Sequence, residues 1–141
     1  MGEKVGSVGQ LAADYKVKHR IERVRDLFTD NMWWYIEEFP VYSDLPTQTR
    51  SGALRSWYYS GNVDSIPQEL AVPLSMWLHP KVLALDGVTR RERRNIFLHE
   101  FAHLVAVMKW NDDTHDLNWE YVMRKLGAPI EVKHRIASLL R

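Results

Sequence analysis

The segment Ile96-Phe-Leu-His99-Glu100-Phe-Ala-His103-Leu-Val-Ala-Val-Met108 limits what this chain can fold into. Phe97, Phe101, Leu104, Val105 and Met108 leave almost no polar stripe, the pattern of a helix buried in a core rather than one lying on a surface. Burying two histidines and a glutamate in such a helix is costly unless something pairs with them. Four residues is slightly more than one helical turn, so His99 and His103 project from one face and can hold a metal ion between them. Glu100 lies beside that face, within reach of a metal-bound water that it does not itself displace. The metal lowers the pKa of the water and the carboxylate accepts the proton, which is the chemistry the HExxH pattern serves in metalloproteases.

Composition bears on the remaining ligands. The chain has 141 residues, six histidines and no cysteine, so disulfides, thiolate catalysis and cysteine-based zinc ribbons are excluded. Any further ligand is a histidine or a carboxylate. A hydrophobic fraction of 45% is enough for one globular domain with a real core, and we read residues 1–141 as that single domain. The formal net charge of +1 does not announce a nucleic-acid binder, so a basic surface would have to be local. The start, Met1-Gly-Glu-Lys-Val-Gly-Ser7, lacks the apolar stretch of a secretory signal, and the expectation is a soluble cytoplasmic protein.

Along the chain, Leu11, Tyr15, Ile21, Val24, Leu27 and Phe28 recur at helical spacing, predicting one helix over 10–28 with Lys16, Lys18, Arg20, Arg23 and Arg25 on its exposed side. A break at Asp30-Asn31 is expected, after which Trp33 and Trp34 continue an apolar stripe into the core. Residues 51–60 read as a strand before the Gly61-Asn62 turn, and 70–74 as a second strand. Pro73 cannot donate to a ladder, which places that strand at a sheet edge or at a bulge. Ser75 then reads as the cap of a short helical turn through Trp77 and Leu78, stopped by Pro80. Thr89-Arg90-Arg91-Glu92 has the form of a capping box and starts the HExxH helix at Arg90. Lys109 suits its C-terminal end, and Asn111-Asp112-Asp113 closes it. A further helix is expected over 116–126 with Gly127 at its C-cap, and a last one from Pro129. The whole is an α+β domain of the zincin-like kind: an N-terminal helix and a small sheet packed against the HExxH helix, followed by further helices.

A catalytic zinc takes three protein ligands and leaves a position open for water. The metzincin spacing would need a glycine where Ala106 stands and a histidine where Lys109 stands, so that pattern is excluded. Two candidates remain for the third ligand. Glu120 lies on a following helix, as a glutamate ligand would. His115 is favoured by ligand type and by its place after a loop that lets the chain turn back. His19, His79 and His134 have no comparable context and read as surface or packing residues.

The order of these features resembles the SprT-like (Spartan-type) zinc metalloproteases. Val72-Pro73-Leu74-Ser75, then Leu98-His99-Glu100-Phe-Ala-His103, a polar loop, His115-Asp-Leu-Asn-Trp119 and an amphipathic helix to Gly127 carry the resemblance, over about residues 53–129. It implies that His99, His103 and His115 ligate Zn2+ and that Glu100 is the catalytic base. The glycine that usually follows the third histidine is Asp116 here, and the cysteine-based ribbon of many members is missing, which makes this a minimal form. The resemblance implies a zinc-dependent endopeptidase, a hydrolase acting on protein or peptide substrates and, as in DNA–protein crosslink repair, on DNA-associated proteins.

Tyr58, Tyr59 and Tyr121 are candidates for an additional oxyanion donor, and the strand at 70–74 is a candidate for pairing with an extended substrate. A reading from another class is a non-catalytic, zinc-containing module that binds nucleic acid. Its surface would be the basic residues at 16–25 with Arg90, Arg91, Arg93 and Arg94, which are also the candidate contacts for single-stranded DNA, and Trp57-Tyr58-Tyr59 would stack on bases.

Overall fold

A computed structural model describes residues 4–43, 52–56, 73–112 and 114–130, with the backbone alone described at 52–56 and 73–75. Among the described residues six α-helices, a 3-10 helix and four strands make an α+β architecture. The strands are β1 (Lys4–Ser7), β2 (Pro40–Tyr42), β3 (Gly52–Ser56) and β4 (Pro73–Leu78), in spatial order β1-β2-β4-β3. β1 pairs antiparallel with β2, β2 parallel with β4, and β4 antiparallel with β3.

The long helix α5 (Arg90–Trp110) is the axis of the molecule, and its ends are fixed by local chemistry. The Thr89 hydroxyl accepts from the Glu92 amide at 3.1 Å, and the Glu92 carboxylate accepts from the Thr89 amide at 2.9 Å. This is the reciprocal box expected from the sequence, and it satisfies two of the otherwise orphaned donors of a helix start. At the other end Asn111 takes the left-handed conformation at φ 53°, which a short polar side chain tolerates. Between these ends every residue from Ile96 to Val107 except His99 is buried. α5 packs against β3 and β4 and against α6 (Leu117–Leu126). Phe97 meets Tyr15 edge-on at 5.6 Å, and Phe101 meets Trp33 edge-on at 6.4 Å, so the N-terminal helices lock onto the same rod.

Several local expectations are corrected. The single helix over 10–28 is three pieces, α1 (Val8–Asp14), α2 (Lys18–Ile21) and a 3-10 turn (Glu22–Leu27). The break comes at Lys16, left-handed at φ 60°, and this redirection lets Tyr15, Val17 and Ile21 all reach the core. α3 (Asp30–Glu37) starts one residue after its cap Thr29, so Asp30 opens a helix instead of breaking one. Trp33 is buried but Trp34 is 65% exposed, because neighbours on a helix point about 100° apart and only one can face the core.

The strand read at 70–74, expected at a sheet edge or a bulge, is described from Pro73 onward; it is not at the edge, and the bulge alternative is met by a register shift opposite Pro73. β4 lies between β2 and β3, and Pro73 is tolerated because it is the first residue of the strand, opposite a register shift at Arg55/Ser56. Ser75 to Leu78 continue that strand rather than forming a helical turn. Pro80 starts α4 (Pro80–Ala84) instead of stopping a helix, with His79 as its cap, its Nδ1 accepting from the Lys81 amide at 3.1 Å. The readings at 57–72 and in the last helix from 131 onward lie outside the described residues. Among the described residues no helix is long and apolar enough to cross a membrane.

Candidate metal centre

α5 carries His99 and His103 on one face, and a short loop returns the chain so that His115 meets them. The Nε2 atom of His115 lies 3.0 Å from Nε2 of His103 and 3.1 Å from Nε2 of His99. Nitrogens held about 2.0–2.1 Å from a tetrahedral zinc stand about 3.3 Å apart, so His115 already stands at nearly that spacing from each of the other two, and all three donors lie within 4.8 Å of one another. They form the group among the described residues able to share a metal, and Glu120 is not part of it. Glu100, the next residue along α5 from His99, is buried at 6% exposure.

The electrostatics suit ligation. Burial, followed by the charge of His115, pushes the His99 imidazole down to about 4. Burial, with His99 and His115 adding to it and Asp112 opposing, pushes His103 down to about 3. Both rings are therefore neutral at ordinary pH, with a lone pair free for a metal and no proton to displace.

Trp119 is the packing centre of the site. Its ring is buried, stacks on His103 at 5.7 Å and meets His99 and His115 edge-on at 5.0 and 4.9 Å. Its Nε1 donates to the His99 carbonyl at 3.3 Å, which ties α6 to α5 at the first of the three candidate ligands.

His115 itself is exposed, and its support comes from the loop. The Asp112 carboxylate accepts from the Thr114 amide at 3.0 Å, the Thr114 hydroxyl at 2.6 Å and the Asn118 amide side chain at 3.0 Å. Burial alone would raise the Asp112 carboxyl, but the bonds from Thr114 and Asn118, together with His103, hold it below the ordinary carboxylate value. Neither Asp112 nor Asn118 stands out in the sequence as a site residue. The available signal was the Asp-x-Thr spacing of a side-chain-to-backbone turn.

Other candidates fall differently. Tyr121 is 48% exposed and meets Trp110 edge-on at 6.0 Å, while Tyr58 and Tyr59 lie outside the described residues. Of the arginines that open α5, Arg93 turns inward, donating to the Leu83 carbonyl at 3.0 Å with its guanidinium 4.2 Å over the Tyr15 ring. Arg25 pairs with Glu22 and Asp30, each at 3.7 Å. Arg20, Arg91 and Arg94 instead gather around a hollow of about 390 Å³ beside Gly127. No protein-family model, curated protein or solved structure matches the chain. The fold and the site define a three-histidine candidate metal centre on an α+β frame.

Proposed function

We propose that this protein is a zinc-dependent endopeptidase of the SprT-like, zincin kind. The observation that carries the reading is the convergence of three histidine Nε2 atoms, two of them from the helix in which the buried Glu100 follows His99. Three nitrogens, with no fourth ligand in the converging group among the described residues, fit a catalytic site better than a closed structural one. Zinc in such a site supplies Lewis acidity toward water and toward a peptide carbonyl. Glu100 accepts the proton released by the attacking water and delivers it to the amine nitrogen as the C–N bond breaks. His115, exposed, forms the open side through which substrate enters.

An extended peptide is best received by β3. It is the last strand of the sheet among the described residues and packs against α5, so its outer edge can add a substrate strand. The described part of the strand read at 70–74 belongs to β4, which is paired on both sides, so β3 is the pairing surface we favour. The substrate class we favour is protein associated with DNA, on the strength of the SprT-like motif order.

One observation favours a second reading, that of a zinc-containing nucleic-acid-binding module. Arg20, Arg91 and Arg94 share a hollow and make no ion pair among the described residues. Glu100→Gln separates the two readings. It keeps size and shape but cannot accept the proton, so it should bind zinc as wild type does and lose proteolysis of casein or histone by about 10²–10⁴-fold. Wild type and variant equally inert on every protein substrate would refute the enzyme reading.

A further inference from the structure

His99 and His103 are held by a buried helix, but the third donor is exposed and belongs to a bend between α5 and α6. A ligand on such a segment must be ordered when metal binds, at a cost in backbone entropy for every residue fixed. The chain instead orders it internally, with one carboxylate as the hub. Asp112 follows directly on Asn111, the left-handed cap of α5, so it is anchored to the helix that bears the other two ligands. Its Oδ1 accepts two bonds from Thr114, just before His115, and its Oδ2 accepts one from Asn118, in the first turn of α6 just after it. The Thr114 hydroxyl also accepts from the Asp116 amide at 3.3 Å. The residues on both sides of His115 are thus bracketed to one anion at the end of α5.

The bracket is not explained by helix capping. Asp116, the N-cap of α6, makes no side-chain cap bond, and Asn118 spends its amide on Asp112. We infer that Asp112, acting through Thr114 and Asn118, is a positioning residue that pre-sets His115 at metal-binding distance from His99 and His103. This inference rests on the metal-centre reading proposed above. Asp112 does not touch the metal or the substrate; it fixes the third ligand before metal arrives, so that binding does not have to order the loop.

The test uses the full chain and zinc itself, with affinity measured by chelator competition and melting of the metal-free protein recorded in parallel. Asp112→Ala should weaken zinc binding by about 10–100-fold, the usual size of effects behind a metal ligand. Asn118→Ala, which removes one arm of the bracket, should weaken it less, and Thr114→Ser, which keeps the hydroxyl, should bind as wild type does. The melting temperature of the metal-free variants should stay within about 2 °C of wild type, since the bracket is at the surface. Wild-type zinc affinity in Asp112→Ala overturns the inference alone. So does a loss of affinity matched by a comparable drop in metal-free melting, because that marks general destabilisation. Wild-type protein that takes up no zinc overturns the metal reading and this inference together.

Discussion

Acidifying the metal-free protein should destabilise it well above the pH at which its carboxylates protonate. In the folded chain His99 is held down to about 4 and His103 to about 3, chiefly by burial. In the unfolded chain both return to about 6.5. Between these values the unfolded state binds more protons than the folded one, so stability is greatest above pH 6.5 and falls as pH drops toward 4. Each histidine costs about 1.4 kcal/mol per pH unit in that window, and the two together about 3 kcal/mol between pH 7.5 and 5.5. For a domain of this size that is a fall of roughly 10 °C in melting temperature. Calorimetry of chelator-treated protein at the two pH values measures it directly. His115→Ala should flatten the dependence, because the charge of His115 contributes to both depressions. A metal-free melting temperature unchanged from pH 7.5 to 5.5 would show that these imidazoles are not held neutral by burial, and would remove the electrostatic argument for a preformed ligand set.

Removing the third donor should cost zinc affinity outright. A structural zinc site is worth about 10–16 kcal/mol over four ligands, so His115→Ala should weaken binding by about 10²–10³-fold while Glu120→Ala leaves it unchanged; the reverse pattern in chelator competition would make Glu120 the ligand. Replacing Trp119 by Ala should both unfold the site and lower overall stability by about 3–5 kcal/mol, since a buried ring in contact with all three histidines is lost; chemical denaturation measures it. If the hollow at Arg20, Arg91 and Arg94 takes nucleic-acid phosphates, Arg91→Glu/Arg94→Glu should weaken binding of a single-stranded oligonucleotide, with unchanged zinc content. Wild-type binding should also fall steeply with salt, and absence of binding at low salt would remove DNA from the function.

What the sequence determined by itself is what depends on neighbours along the chain. The capping box at Thr89 and Glu92 set the start of α5, the four-residue spacing placed His99 and His103 on one face, and Gly127 ended α6 at φ 70°. The third candidate ligand was only partly legible, because type and loop placement favoured His115 while convergence to 3.0 Å depends on how α6 packs back onto α5 through Trp119. What only the tertiary structure decided involves partners distant in sequence. β1 is too short to show a period, and it forms because β2 pairs with it. β4 is central because β2 and β3, far from it in the chain, meet its two edges, so the proline that argued for an edge or a bulge sits at the strand's first residue beside a register shift. Arg93 belonged to a basic run in the sequence, yet it faces Tyr15 and the Leu83 carbonyl, which are brought to it by packing. The bracket around His115 is local and was half legible, since the Asp-x-Thr spacing marks a turn while the Asn118 arm depends on how α6 begins. Asp112, Thr114 and Asn118 read as loop polarity and helix surface until the fold gives one carboxylate three donors.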